Sequence, residues 1–174
     1  HSGQLMHTLT TVTPVEVADL LSKVKPKSSA IDFIPTSLLK SCSVFSELIA
    51  RLANLSFQEG CFPQIFKAAL VTPLPKKPNI DATDAANFRP ISNLNNISKN
   101  LERLFLTRLQ PHVQSSPNFY PHQSAYRRNH STETALLCTL DHVFHFADTG
   151  KSTVLVSLDL SAAFDTIDHT ILTN

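Results

Sequence analysis

At 174 residues, 42% of them hydrophobic and with a formal net charge of +1, the chain has the length and composition of one ordinary folding domain. The near-neutral balance supplies no overall basic field, so any nucleic-acid contact must come from local patches. Cys42, Cys61 and Cys138 are too few and too irregularly spaced for a disulfide framework. No apolar run reaches the ~18 residues of a membrane span, and the N-terminus lacks a signal pattern, so a soluble intracellular protein, nuclear or cytoplasmic, is expected.

Residues 1–12 are polar and threonine-rich, without a period, and read as a loose lead-in. Thr13, Pro14 and Glu16 predict a helix start, with Thr13 as N-cap and Glu16 closing a capping box. Val17, Leu20, Leu21 and Val24 follow at helical spacing; the helix ends before Pro26, and Lys23, Lys25 and Lys27 cluster at its end, where cations offset the helix dipole. A brief helical pattern follows Pro35 (Leu38, Leu39). A longer one runs from about Ser43 through Phe45, Leu48, Ile49, Leu52 and Leu55 to a stop at Gly60.

Ala68–Pro75 reads as a short strand whose prolines confine it to a sheet edge. It delivers Lys76 and Lys77 into a polar loop, residues 78–87, and Phe88–Leu94 forms a second extended piece that carries Arg89. Residues 97–113 make the clearest helix: Ile97, Leu101, Leu104, Phe105 and Leu109 lie on one stripe, and Lys99, Glu102, Arg103 and Arg108 occupy a solvated charged side. Pro111, Pro117 and Pro121 then predict a loop.

In residues 123–132, QSAYRRNHST, Tyr126 stands beside Arg127 and Arg128 just before a helix capped by Ser131 or Thr132. An aromatic with an adjacent guanidinium suits a sugar-phosphate backbone or a stacked base, though the same pair also occurs on ordinary surfaces. The helix, from about Thr132 to Ala147, places Cys138, His142 and His145 on one face. Without a fourth ligand at a telling spacing these three do not make a zinc site, and Leu137, Leu140, Val143 and Phe144 mark the helix as a packing element. With three glycines in the chain a glycine-rich phosphate loop is nearly excluded, so phosphate would have to be held by side chains, and Lys76, Lys77 and Arg89 flank one turn. After Gly150, VLVSLDLSAAFDTIDH (residues 154–169) begins as an apolar run with the character of a buried strand and a carboxylate, Asp159, near its end. A buried ionised carboxylate is costly unless it is paired or holds a cation.

Three ordered blocks, PLPKKPNIDATDAANFRPISNLNNISKNLER, HQSAYRRNHSTETAL and VSLDLSAAFDTIDH, resemble the reverse transcriptases of LINE-type (non-LTR) retrotransposons, Jockey-like or a related group. The resemblance covers most of the chain, from about Pro26 to Leu172. It implies an α+β right-hand polymerase in which residues 1–25 are a lead-in with the first helix, residues 26–152 are helix-rich fingers and residues 153–174 begin a palm with an incomplete sheet. Asp159 would be catalytic and would ligate the Mg2+ ions of a two-metal nucleotidyl transfer. Phe164 would pack under the incoming sugar and disfavour a 2'-hydroxyl.

Arg89, with Lys76 or Lys77, matches positions that contact the triphosphate of the incoming nucleotide. Gln123, Tyr126 and Arg127 match a block near template and primer. The implied partners are thus an RNA template, a DNA primer and deoxynucleoside triphosphates. Asp165, Asp168 and His169 fit structural roles, and Ser161 stands where the family commonly has lysine. The downstream paired aspartates of the family are not in this sequence, so the isolated chain is expected to be inert. The alternative is a non-enzymatic retroelement remnant that binds nucleic acid or protein, or has no selected function.

Overall fold

Most helix boundaries follow from local chemistry. Thr13 accepts the N–H of Glu16 (3.2 Å) at the start of α1 (Pro14–Lys23). After α2 (Thr36–Ser41), α3 (Ser43–Glu59) closes on Gly60, whose φ of +61° is a left-handed conformation that a side chain would strain. Strands β1 (Ala69–Pro75) and β2 (Phe88–Leu94) precede α4 (Asn96–Ser115). Last comes α5 (Thr132–Asp148), capped by Ser131 in a reciprocal box with Thr134. The computed structural model describes residues 6–26, 29–160, 166–168 and 170–171. Phe164, with Ser161, Asp165 and His169, lies outside the described residues.

The mixture of helices with one two-stranded sheet is compatible with an α+β fold. The chain divides into two units, His1–Phe119 and Tyr120–Asn174. The first holds the core: Val17 and Leu21 of α1, Leu39 of α2, Ile49, Ala50 and Ala53 of α3, and Leu101 and Leu104 of α4, joined by Val12. These residues are the apolar stripes of their helices. Burying a large aliphatic side chain contributes about 1.5–3 kcal/mol, and this contact holds the four helices together.

Residues 10–12 are not loose. Val12 is buried, and its N–H and carbonyl bond to the Asn54 side-chain amide at 2.7 and 2.9 Å, as a neighbouring strand would. Arg108 holds the same segment: Nε donates to the Thr10 carbonyl (2.6 Å) and Nη2 to that of Thr11 (3.1 Å). Its guanidinium also forks onto Glu16, at 2.9 and 2.8 Å, and lies 5.7 Å from the ring centre of Phe57. Arg108 is therefore no member of a solvated face, its side chain being only 8% exposed. The Glu16 carboxylate goes to Arg108 instead of closing the capping box. Likewise the carbonyls at the end of α1 are met by Lys40 of α2, which donates to Ser22 and Val24 (3.0 and 2.9 Å), while Lys23 pairs with Asp19.

A buried polar layer fixes the entry to α4. Asn95 caps it by accepting the N–H of Ser98 (2.8 Å), and Asp32 accepts the N–H of Asn96 (2.7 Å). Ser98, fully buried, donates to the carbonyl of Phe66 (2.6 Å). The helix then continues through Pro111 to Ser115, although that proline has no N–H to give the carbonyl of Thr107.

The second unit departs most from the expected packing. None of the described residues of α5 is buried, so Leu137 (70% exposed) and Phe144 (63%) are not core residues here. Residues 154–160 form no strand. Val154 and Leu158 are 86% and 91% exposed, against the expectation of a buried strand. Alternation of apolar residues sets which faces a strand can bury, but only a pairing partner satisfies its backbone, and among the described residues none pairs with this segment. All three cysteines are free thiols. Among the described residues no helix is long and apolar enough to cross a membrane.

Candidate nucleotide and nucleic-acid contacts

The antiparallel ladder places Leu74 opposite Arg89 and Pro73 opposite Pro90. The N–H of Lys76 donates to the carbonyl of Asn87 (2.9 Å), so hydrogen-bonded pairs alternate from there through Leu74–Arg89 and Thr72–Ile91. Pro73, Pro75 and Pro90 all fall on the intervening pairs, where the missing N–H would have pointed away from the ladder. The prolines leave this hairpin intact and blunt both its outer edges. The expected edge strand is thus realised, and every residue of β1 is exposed.

Because paired residues share a face and alternate pairs switch faces, Lys76, Leu74 and Arg89 lie on one side of the hairpin at its turn end. Lys76 is already engaged. Its Nζ donates to the carbonyl of Ala86 (2.7 Å), which together with its backbone bond staples the two ends of the loop. Within the loop, Asp81 accepts both the N–H and the hydroxyl of Thr83, and these bonds hold its carboxyl below the ordinary range. Asp84 accepts the N–H of Ala86 (2.9 Å), and Asn87 donates to the carbonyl of Asp81 (3.1 Å). The side chains of Lys77 and Arg89, both exposed, have no hydrogen bond or ion pair among the described residues.

In the second unit, Gln123 donates its side-chain amide to the carbonyl of Ala125 (3.3 Å), and Arg127 donates to that of Pro121 (2.7 Å), tying residues 121–127 into a compact turn. Tyr126 sits at φ +58°, a conformation rare for an aromatic residue, with 84% of its surface exposed. Strain of this kind, held by the bonds around it, is a feature of ligand-contacting turns.

Cys138 and His142 are neighbours: His142 Nδ1 is 2.7 Å from the Cys138 carbonyl and 3.9 Å from its sulfur. His145 instead packs its ring against Phe146 at 5.8 Å. Asp159 is exposed. Among the described residues no three His, Cys, Asp or Glu side chains are grouped to hold a metal ion. A pair of catalytic magnesium ions needs carboxylates on more than one side, so the described residues do not by themselves fit that centre. Asp168 accepts the N–H groups of Thr170 (2.8 Å) and Ile171 (3.3 Å), which keep its carboxyl below the ordinary range. It acts locally, as a helix-start residue does.

The residues that sequence reading passed over are Asn96 and Asn100, both buried. The signal was present as two asparagines four apart in an otherwise amphipathic helix, NISKN, where an amide on the buried side needs a partner.

Comparison with known proteins agrees with the three sequence blocks. Residues 74–174 match the reverse transcriptase (RNA-dependent DNA polymerase) family. The chain is 27% identical over 173 residues to the RNA-directed DNA polymerase from mobile element jockey of Drosophila melanogaster, covering 95% of this chain and 18% of that protein. It is 28% identical over 163 residues to the probable RNA-directed DNA polymerase from transposon BS of the same species, covering 91% and 18%. To the Pol polyprotein from type-1 retrotransposable element R1 of Bradysia coprophila it is 29% identical over 154 residues, covering 87% and 15%. The chain thus spans less than a fifth of the length of these relatives. It belongs to the reverse transcriptase family, with relatives among the non-LTR retrotransposon enzymes.

Proposed function

We propose that the chain is the nucleotide- and template-handling part of an RNA-directed DNA polymerase, in which residues 26–152 act as fingers and residues 153–174 begin the palm. The observation that carries this reading is the hairpin. It presents Arg89 beside a loop that is organised by its own hydrogen bonds and leaves the Lys77 ammonium uncommitted. A guanidinium and an ammonium at one turn suit a triphosphate, the first as a fork of donors and the second as a point charge.

In this reading Lys77 and Arg89 contact the incoming deoxynucleoside triphosphate, and Lys76 holds the loop that positions them. Tyr126, with Gln123 and Arg127, contacts template or primer. Phe164 excludes a 2'-hydroxyl by its bulk. Magnesium, when bound, supplies charge stabilisation on the attacking and leaving oxygens. Asp159 would be this chain's contribution to that centre, acting together with carboxylates outside the described residues. The exposed apolar residues Val154, Val156 and Leu158 would become part of a palm strand only when further strands pair with and cover this segment.

The test is nucleotide binding by the intact chain. Lys77→Met and Arg89→Met each weaken deoxynucleoside triphosphate affinity by about tenfold, the worth of one charge-assisted hydrogen bond. Lys76→Arg retains a donor for the Ala86 carbonyl and leaves affinity close to the parent value, whereas Lys76→Met also accelerates amide exchange in residues 78–87. Unchanged affinity in both Lys77→Met and Arg89→Met would refute the assignment.

A further inference from the structure

The hairpin that presents Lys77 and Arg89 is mounted by its two ends. Every residue of β1 is exposed, and the two strands pack chiefly on each other rather than on a helix. The ladder begins with Ala69 opposite Leu94, and the Leu74–Arg89 pair stands five residues further along, about 17 Å of strand. A tilt of about 10° at the base therefore carries Arg89 by about 3 Å, enough to break a hydrogen bond to a phosphate oxygen. What holds the base decides where the two cations point.

Both ends meet at the first turn of α4. The exit is direct, since Leu94 is followed by Asn95, which caps the helix. The entry is a single 3-10 turn, Gln64–Phe66, that ends three residues before Ala69. Ser98 joins the two. Its hydroxyl donates to the Phe66 carbonyl at 2.6 Å, across 32 residues of sequence. A serine within a helix ordinarily turns its hydroxyl to solvent or to the carbonyl one turn back. Ser98 has no surface open to solvent and makes the long-range bond instead. The Phe66 ring packs against the core and edge-on to Phe33, 6.2 Å between centres. The ring sets where Phe66 lies; the bond from Ser98 sets how its peptide plane, and with it the start of β1, is turned.

We propose that Ser98 is a positioning residue for nucleotide binding: by holding the Phe66 carbonyl it fixes the direction in which the hairpin presents Lys77 and Arg89. The functional consequence rests on the triphosphate contacts proposed for these two cations; the direction of the hairpin does not.

Spin labels at Ala82→Cys in the loop and Arg51→Cys on α3, both exposed positions, report that direction in a chain whose own three cysteines are replaced by serine. Ser98→Ala should shift or broaden the distance distribution between the labels. It should also weaken deoxynucleoside triphosphate affinity about fivefold, through lost preorganisation rather than a lost contact. In the Lys77→Met/Arg89→Met background the same substitution should add no further loss, a non-additivity that general destabilisation would not produce. Ser98→Cys, which keeps a weak donor, should fall between the parent and Ser98→Ala, and takes its place if the alanine variant does not fold. An unchanged distance distribution would overturn the proposal. So would unchanged affinity in Ser98→Ala beside a parent that binds, or an equal loss with and without Lys77 and Arg89. Absence of saturable nucleotide binding by the parent refutes the triphosphate contacts and the functional consequence with them; the distance distribution alone then decides whether Ser98 directs the hairpin.

Discussion

Replacing Arg108 with methionine should destabilise the first unit by about 3 kcal/mol, read from urea or thermal unfolding. The side chain fits a nearly closed site, so its loss leaves the carbonyls of Thr10 and Thr11 without a donor and Glu16 as a half-buried carboxylate facing no cation. Methionine keeps most of the apolar contact with Phe57, which makes the measured loss one of hydrogen bonds and charge. Glu16→Gln is milder, about 1 kcal/mol, because a neutral acceptor still meets the fork and the carboxylate is partly solvated.

The pH dependence of this pair follows from the direction of the shift. Hydrogen bonds from Arg108 chiefly, with its charge, hold the Glu16 carboxyl below the ordinary range despite an opposing effect of burial. A group whose folded pKa is depressed contributes stability that is complete above its unfolded value, about 4.3. That contribution is lost as pH falls through the lowered folded value. The stability gap between the parent chain and Glu16→Gln should therefore be constant from neutrality to about pH 5 and narrow below it.

The largest expected effect concerns Asp159. In a polypeptide that joins this segment to downstream carboxylates, Asp159→Ala should lower magnesium-dependent primer extension by on the order of a thousandfold or more. That is the consequence of withdrawing several kcal/mol of charge stabilisation from the transition state. Primer-template affinity should change little, since in the proposed role the residue acts on the reacting phosphate rather than on the duplex. The 174-residue chain assayed alone should show no extension. Robust extension by it, abolished by Asp159→Ala, would show that these residues suffice for catalysis.

What could be read in the sequence was what is decided within a few residues. Thr13, Gly60 and Ser131 mark helix ends because a cap is a contact between near neighbours. The prolines of ALVTPLP likewise announced an edge strand. Contacts across long stretches of chain had no local signature. Arg108 looks like any other cation on an amphipathic helix until α1 is packed beside it, 92 residues away in sequence. Asn54 carries nothing to say that it will pair with Val12. The segment at 154–160 shows the converse: its pattern describes a strand faithfully, but a strand also needs neighbours, and pattern alone cannot supply them. Of the proposed contacts, Arg89, Lys77 and Tyr126 were visible as residue types, whereas the engagement of Lys76 by a loop carbonyl emerged only with the fold.

The central claim, that this chain handles nucleic acid through a few local cations rather than bulk charge, is tested most directly by its affinity for an RNA–DNA primer-template across salt concentrations. The one phosphate contact assigned to primer-template, through Arg127, predicts a fall of about three- to fourfold between 50 and 200 mM salt. Arg127→Ala should weaken binding and make the log–log slope shallower by about one contact. No saturable binding, or an affinity indifferent to both salt and Arg127→Ala, would contradict the account.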